Sequence, residues 1–485
     1  MGKEKYNKFA LLTDLYELTM MQGYYFTRPD SRVVFDLFFR EQPFKGGYSI
    51  FSGLKPAVEK ILNLAFTEED IEYLRSQNLF KEEFLDYLSN FKFTGDIYAL
   101  NEGTAVFPGE PVIRIHGNII ETQLIESLLL NIINFQTLIA TKSARVREAA
   151  RGRAVLEFGL RRAQGIDGAL SASRAAYIGG ASASSNTLAG KIFDIPIKGT
   201  MAHSWVQSFG SEEEAFRKFS ELYPESAILL VDTYDTLNRG IPSAVKVLKE
   251  KKQVIKKSGI RLDSGDLEYL SKKARKKLDQ AGLKETKIVV SNELDEYIIE
   301  ELLNNEAPID FFGVGTKMVT AQDSPSLTGV YKLAAKTDGG GTYKPSMKLS
   351  DNPSKRSNPG IKNIMRFYKE DGDMADLIFL EDERDDIEKK IKKEEAVQFF
   401  HPTLNNQSLV MNNYKKTGIL LENIVKKGRL NKNFSSLNEM RKRTLVSLET
   451  LHPTYKRLLN PHRYKVSLTN RLKNLKQKII NGKKI

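Results

Sequence analysis

The chain has no cysteine among its 485 residues. That removes disulfides, thiolate zinc sites and cysteine nucleophiles together, and it suits a reducing compartment, so a cytoplasmic location is expected. Long hydrophobic runs are missing as well. No segment approaches the roughly 20 apolar residues that cross a bilayer, so no membrane partner is expected. The opening residues, Met1-Gly2-Lys3-Glu4-Lys5-Tyr6-Asn7-Lys8, lead into no apolar core of a secretory signal. Histidine is scarce at five, and none of the other four shows zinc-ligand spacing with His203 or with one another. The lysine of a Walker loop and the G-x-G-x-x-G fingerprint of dinucleotide binding are also absent.

What is present is the composition of an ordinary globular protein, 41% hydrophobic and 28% charged, long enough for two or three folding units. The charge is unevenly placed. Lys plus Arg less Asp plus Glu is 74 − 61 = +13 overall, whereas residues 401–485 alone carry 19 basic and three acidic side chains, or +16, leaving about −3 for the rest. A basic tail is attracted to nucleic acid and other anionic surfaces. Against that, Leu451, Leu458, Leu459, Leu468 and Leu472 recur at helix-like spacing, aromatics are few and no nucleic-acid motif appears. The tail is therefore expected to be a solvated helical appendage, with nucleic acid the disfavoured partner.

The rhythm of the chain separates three regions: an N-terminal α+β domain over 1–140, an α/β barrel over 141–340 and a C-terminal extension over 341–485. In the first, Val33–Arg40 reads as a strand, Gly103–Ile115 as a hairpin turning at Pro108-Gly109, and Glu121–Arg151 as one long helix. In the second, short apolar strands each run into polar residues. They are Val155–Gly159 before Arg161-Arg162, Ile195–Thr200 before His203-Ser204, Ile228–Val231 before Asp232-Thr233-Tyr234-Asp235, Ile260–Leu262 before Asp263-Ser264-Gly265-Asp266, Ile288–Val290 before Ser291-Asn292-Glu293, and Phe311–Val314 before Gly315-Thr316. Amphipathic helices are expected at Glu212–Tyr223, Pro242–Lys256 and Leu267–Ala281. Buried parallel strands need helical crossovers, and reactive groups collect at their C-terminal ends. Six polar strand ends are hard to explain by packing, so one active site at the mouth of a barrel-like sheet is favoured. A loop rich in Gly, Pro and Ser, Thr337–Gly360, ends this region, and strand-like Ile364–Tyr368 and Leu377–Leu380 precede a charge-dense stretch, Glu381–Glu395.

Each motif has two readings. Gly313-Val314-Gly315-Thr316 could offer backbone N–H groups to a phosphate, or be a plain turn. The two acidic motifs could hold ribose hydroxyls or the outer shell of magnesium, or cap helices. Two such motifs on successive strands, with Arg161, Arg162 and Arg261 at neighbouring ends, favour a polyanion. His203 could be a nucleophile, a phosphoryl carrier, a general base or a structural group. Trp205 beside it could be wall or core.

In order along the chain, Leu11–Met20 (LLTDLYELTM), Leu156–Gly165 (LEFGLRRAQG), Lys198–Ser204 (KGTMAHS), Arg261–Leu267 (RLDSGDL) and Phe312–Thr316 (FGVGT) resemble the nicotinate phosphoribosyltransferase family. The resemblance covers nearly the whole chain. It implies a type II phosphoribosyltransferase: α/β, an irregular TIM-like α/β barrel with an N-terminal α+β domain and a C-terminal helical and strand extension. It further implies synthesis of nicotinate mononucleotide and pyrophosphate from nicotinate and phosphoribosyl pyrophosphate, the entry step of NAD salvage from nicotinate. ATP as co-substrate, Mg2+ held mainly by substrate phosphates, and a homodimer with active sites near the interface are implied as well.

Carried over by motif, Tyr16 (from the partner subunit) and Phe158 are implied to sandwich the pyridine ring, and Thr200 and Arg261 to meet the nicotinate carboxylate. Arg161, Asp232, Asp263, Gly315 and Thr316 are implied contacts for ribose, phosphate and magnesium, with Asp232 and Asp263 also catalytic, and His203 is the implied phosphohistidine. Related nicotinamide enzymes place an acidic residue where Asn186 precedes Thr187-Leu188-Ala189-Gly190, which favours the acid as substrate over nicotinamide. A quinolinate-type enzyme would lack the phosphorylatable histidine motif.

Overall fold

The computed structural model describes residues 9–337, 341–352, 355–369, 374–404 and 407–482. Met1–Lys8, read above for a secretory signal, lie outside the described residues, as do 338–340 and 353–354 of the Gly-, Pro- and Ser-rich loop. The chain forms two compact units, one from 1–138 with 326–485 and the other from 139–325.

In the first unit the run Val33-Val34-Phe35-Asp36-Leu37-Phe38-Phe39 lies within a strand, Arg32–Phe39, with seven of eight residues buried. It pairs antiparallel on one side with Ile113–Asn118 and on the other with Gly329–Lys336, so neither edge nor face is free and an alternating pattern is not required. Asp36, within that strand, is neutralised by Lys362 Nζ at 2.7 Å. The seven-stranded sheet continues through Asp96–Ala99 to Glu422–Lys426 and Arg429–Leu430. A second sheet of six strands contains Lys362–Lys369 and Met374–Leu380, with Lys465–Leu468 parallel to the latter.

Three sequence expectations change in this unit. Ala105–Val106 pairs with Ser49–Ile50 instead of with Ile113–Asn118, so the chain turns at Pro108-Gly109 without forming a hairpin. The long helix breaks at Ile125 into Ile119–Leu124 and Glu126–Ala149. The basic tail is no solvated appendage. Leu451, Leu458, Leu468 and Leu472 are buried, and of the five leucines only Leu459 is exposed. The helix Leu437–Thr450 lies on Glu102-Gly103, with Arg443 Nη1 donating to Glu102 O at 2.6 Å. Of those five leucines only Leu472 lies in a helix, Asn470–Ile480, and Leu468 ends the strand Lys465–Leu468, so the helix-like spacing marked buried positions without their secondary structure. The helix Leu437–Thr450 covers a segment more than 300 residues away in sequence.

The second unit alternates strand and helix. Its strands are β1 (Ala154–Glu157), β2 (Ala183–Ser184), β3 (Ala227–Leu230), β4 (Ser258–Leu262), β5 (Lys287–Val290) and β6 (Phe311–Val314). All are parallel, in the order β2-β1-β6-β5-β4-β3. Leu229, Ile260, Ile288 and Phe312 are fully buried, as strands covered on both faces require. The helices Glu212–Leu222, Ile241–Glu250 and Leu267–Gln280 fall where amphipathic periodicity puts them. β2 and β3 are the two edges, so the sheet is a curled half-barrel. Ile195–Thr200, read as a strand, contributes only an isolated bridge between Ser184 and Ile197. Pro196 has no N–H to extend that ladder, and its carbonyl accepts from Ser184 N at 3.0 Å.

Gly103 tests how the tail is packed. Its φ is +90°, and a Cβ there would stand 2.2 Å from Met440 O on the helix above. Gly103→Ala should therefore lower the denaturation midpoint of this unit, costing roughly 2 kcal/mol or more, read by urea unfolding.

Candidate active site at the strand ends

The acidic motifs after β3 and β4 divide their labour. The second aspartate of each is a cap: Asp235 accepts from Leu237 N (3.1 Å) and Asn238 N (2.9 Å), and Asp266 from Tyr269 N (2.9 Å). Gly265, at φ +76°, makes the turn that separates the two roles after β4. The first aspartates, Asp232 and Asp263, face each other across the strand ends. Asp232 Oδ2 accepts from Asp263 N at 2.8 Å and from Ser264 Oγ at 2.6 Å. Its other oxygen, Oδ1, is buried without a protein partner. A buried carboxylate oxygen left open is costly unless something else fills its valence, as a ribose hydroxyl or a cation can.

Asp263 links outward on both oxygens. Oδ1 accepts from Ser291 Oγ after β5, and Oδ2 lies 3.8 Å from His203 Nε2. His203 opens the helix His203–Gln207, and its Nδ1 is 3.2 Å from Thr233 Oγ1 after β3. The imidazole is thus held between a hydroxyl and a carboxylate, suited to exchanging a proton or accepting a transferred group. Trp205 is a packing residue: its indole N–H donates to Ala215 O at 3.1 Å, and its ring packs on Phe209 and Phe219.

Arg261, on β4, donates from Nη1 to Thr200 Oγ1 at 2.8 Å, while its Nε is buried without a partner. Burial pulls its guanidinium below the ordinary arginine range, and the carboxylates of Asp263 and then Asp232 oppose that shift. Arg161 repels it from the turn Leu160–Arg162, so two cations serve this end of the sheet. Phe158 follows β1, and Phe158 N donates to Val314 O at 2.9 Å. Its ring lies over Gly313, where a Cβ would approach within 2.6 Å of the ring, and a Cβ on Gly315 would stand 3.0 Å from Phe158 O. The glycines of Gly-Val-Gly-Thr are therefore small because the Phe158 backbone and ring occupy that space. Tyr16 belongs to the other unit, half exposed on the helix Leu15–Thr27. Burial, then Glu17, Glu126 and Asp14, push its hydroxyl above the ordinary range.

Asn186 lies just past β2. It is buried, its Oδ1 caps the helix Thr187–Phe193 through Ala189 N (3.2 Å), and its Nδ2 donates to Ser173 Oγ (3.2 Å). Both ends of the carboxamide are engaged within the unit. Ser173 in turn donates to Glu157 Oε2 at 2.9 Å, and the fully buried Glu157 also accepts from Ser184 Oγ and Gly159 N.

Sequence reasoning gave no role to Thr233, Ser264, Ser291 or Glu157. The first three are small hydroxyl residues just past a strand, and that position was the available signal. Asp295 and Lys317 were missed altogether. Lys317 Nζ donates to Asp295 Oδ2 at 2.8 Å, joining the segment after β5 to the turn after β6. Between Ser291 and Asp295, Asn292 (φ +85°) and Glu293 (φ +43°) are consecutive left-handed residues, costing about 1–3 kcal/mol each. Among the described residues no group of three or more His, Asp or Glu is placed to hold a metal unaided. The open Asp232 Oδ1 and adjacent Asp263 fit an oxygen-loving cation that brings ligands of its own.

A half-barrel with an acid pair, an imidazole, two guanidiniums and an aromatic side chain at its C-terminal strand ends has the architecture of an α/β enzyme. Residues 11–134, 154–371 and 361–476 match, respectively, the nicotinate phosphoribosyltransferase (NAPRTase) N-terminal domain, the nicotinate phosphoribosyltransferase (NAPRTase) family and the nicotinate phosphoribosyltransferase C-terminal domain. A nicotinate phosphoribosyltransferase of Bacillus subtilis (strain 168) is 42% identical over 469 residues, 96% of this chain and 94% of that one. The crystal structure of human nicotinic acid phosphoribosyltransferase superposes with a TM-score of 0.81 at 28% identity, covering 96% of this chain and 99% of that one. The nicotinate-nucleotide pyrophosphorylase of Pyrococcus furiosus shares the fold, with a TM-score of 0.70 at 21% identity over 93% of this chain and 97% of that one. The chain belongs to the nicotinate phosphoribosyltransferase family.

Glu157 meets three donors, so Glu157→Gln turns an N–H group toward at least one of them. Loss of roughly 1–3 kcal/mol is expected, read as a lower urea midpoint for the strand-end unit.

Proposed function

We propose that the protein transfers the phosphoribosyl group of phosphoribosyl pyrophosphate to nicotinate, giving nicotinate mononucleotide and pyrophosphate. The observation that carries the reading is the linked set Asp232–Asp263–His203, with one buried carboxylate oxygen open, in a chain of this family. The ring nitrogen of nicotinate is already a nucleophile and needs no base. Its lone pair forms the bond to ribose C1 as the C1–O bond breaks and the electron pair leaves with pyrophosphate. Positive charge spreads over the ribose in an oxocarbenium-like transition state, next to which the carboxylates of Asp232 and Asp263 lie.

Arg261 and Thr200 serve the nicotinate carboxylate, and the mutual repulsion of Arg261 and Arg161 favours an anion beside them. Phe158 supplies one face for the pyridine ring, and Tyr16 of a partner subunit the other, in a homodimer. Arg161, Gly315 and Thr316 serve phosphate oxygens. Magnesium would be held mainly by the substrate phosphates, with Asp232 and Asp263 beside it, and would supply charge neutralisation for the leaving group. Preference for the acid is supported by this cationic end and by the uncharged Asn186, where related nicotinamide enzymes carry an acidic residue.

His203 is the group that ATP phosphorylates: its ring nitrogen takes the γ-phosphoryl, ADP leaves, and water later releases phosphate. The added negative charge reorganises the site and ties ATP hydrolysis to nucleotide synthesis. The product would feed NAD salvage in the cytoplasm.

The test is nucleotide formation from phosphoribosyl pyrophosphate and magnesium, with nicotinate, nicotinamide and quinolinate offered separately, with and without ATP. ATP-stimulated turnover of nicotinate alone is expected, and turnover of nicotinamide in its place would overturn the substrate. His203→Ala should keep the fold and a basal ATP-independent transfer while losing ATP hydrolysis and stimulation. Unaltered coupling in that variant would rule out the phosphohistidine.

A further inference from the structure

We infer that Lys317 is a positioning residue that sets the phosphate-binding turn Gly315–Thr316 by anchoring it to Asp295; the inference rests on the proposed reaction. A lysine directly after such a turn invites the reading that it binds phosphate itself. Its geometry says otherwise, because the side chain is only 15% exposed and the amine donates to Asp295 Oδ2 at 2.8 Å. Its charge is spent inside the protein.

Asp295 is a firm anchor. Its Oδ1 accepts from Tyr297 N (3.0 Å) and Ile298 N (2.8 Å), capping the helix Glu296–Asn304. Burial pushes its carboxyl up, but the Ile298 N–H and then Lys317 outweigh that and hold it below the usual range. That helix is fastened at its first residue. Glu296, fully buried, lies 2.7 Å from Lys142 Nζ and 2.8 Å from Arg145 Nε, both on the long helix Glu126–Ala149. A continuous path of charged contacts therefore runs from a rigid helix through Asp295 and Lys317 to the turn after β6.

The same anchor holds the strained segment Asn292-Glu293 at its far end, while Ser291 ties its near end to Asp263. Two consecutive left-handed non-glycine residues persist only where both flanks are fixed. Lys317 thus couples the height of the phosphate turn to the segment that carries Ser291 and steadies Asp263.

The experiment compares Lys317→Met, Lys317→Arg and Asp295→Asn in the full-length protein, with KM and kcat measured for each substrate. Asparagine keeps a cap at 295 but removes the charge. Lys317→Met and Asp295→Asn should each raise KM for phosphoribosyl pyrophosphate about tenfold, with KM for nicotinate and kcat within about twofold, and Lys317→Arg should restore most of the loss. An unchanged KM for phosphoribosyl pyrophosphate, or equal rises for both substrates, would overturn the assignment. If Lys317→Met does not fold, Asp295→Asn decides. Calorimetric binding of phosphoribosyl pyrophosphate reads the same weakening without turnover. Wild-type protein that binds it but transfers nothing would sink the proposed reaction, while the Lys317 assignment would still stand or fall on the binding ratio.

Discussion

The strand-end site depends on one carboxylate reaching from one strand to the next. Asp232, after β3, accepts from the backbone N–H and the serine hydroxyl that follow β4, and so fixes where Asp263 begins. Asp263 then accepts from Ser291 and lies 3.8 Å from His203, whose own hydrogen bond goes to Thr233. A parallel sheet sets its strands side by side but leaves the turns beyond them free. Here those turns are bound to one another by side chains of the reactive type. The hydrogen bonds that join these turns also leave one oxygen of Asp232 without a protein partner.

Elsewhere the protein spends its buried charge on structure. In the unit formed by the two ends of the chain, Asp36 pairs with Lys362 at 2.7 Å, Asp376 with Arg366 at 2.6 Å, and Glu381 with Arg114 at 2.7 Å. Each pair joins different strands, or a strand and the helical turn beside it, so each fixes relative placement as well as neutralising its partner. The tail's basic character stays largely at the surface: among its described residues only Lys476 is a buried lysine or arginine. Lys476 lines a cavity of about 170 Å3 with Arg356 and Lys362 and donates to Asn358 Oδ1 at 2.8 Å, and burial first, then those two cations, push its amine down to about 8.

Much of the site was legible because strand ends are local features. Asp232, Asp263, His203 and Arg261 follow or lie on apolar runs that are strands or flank them, and residue type at a strand end is readable from one sequence. The contacts that local reading did not give involve partners distant in sequence. Nothing near Asn186 reveals that Ser173 takes its amide, and nothing near Lys317 reveals Asp295. Nor do the two aspartates of Asp263-Ser264-Gly265-Asp266 differ in chemistry; only the helix that starts at Leu267 makes the second one a cap.

The sequence by itself determined the βα alternation, the helices of the strand-end unit, the polar character of its strand ends and, through several ordered motifs, the family. These follow from periodicity and residue type, which are set within a few turns of chain. Only the tertiary structure decided that the sheet stays open, that Ile195–Thr200 contributes a bridge in place of a strand, and that the basic tail adds strands to both large sheets of the other unit. Edge pairing and the cover for an apolar face depend on which distant strand or helix arrives beside it, and local patterning records the need for a partner without recording which one.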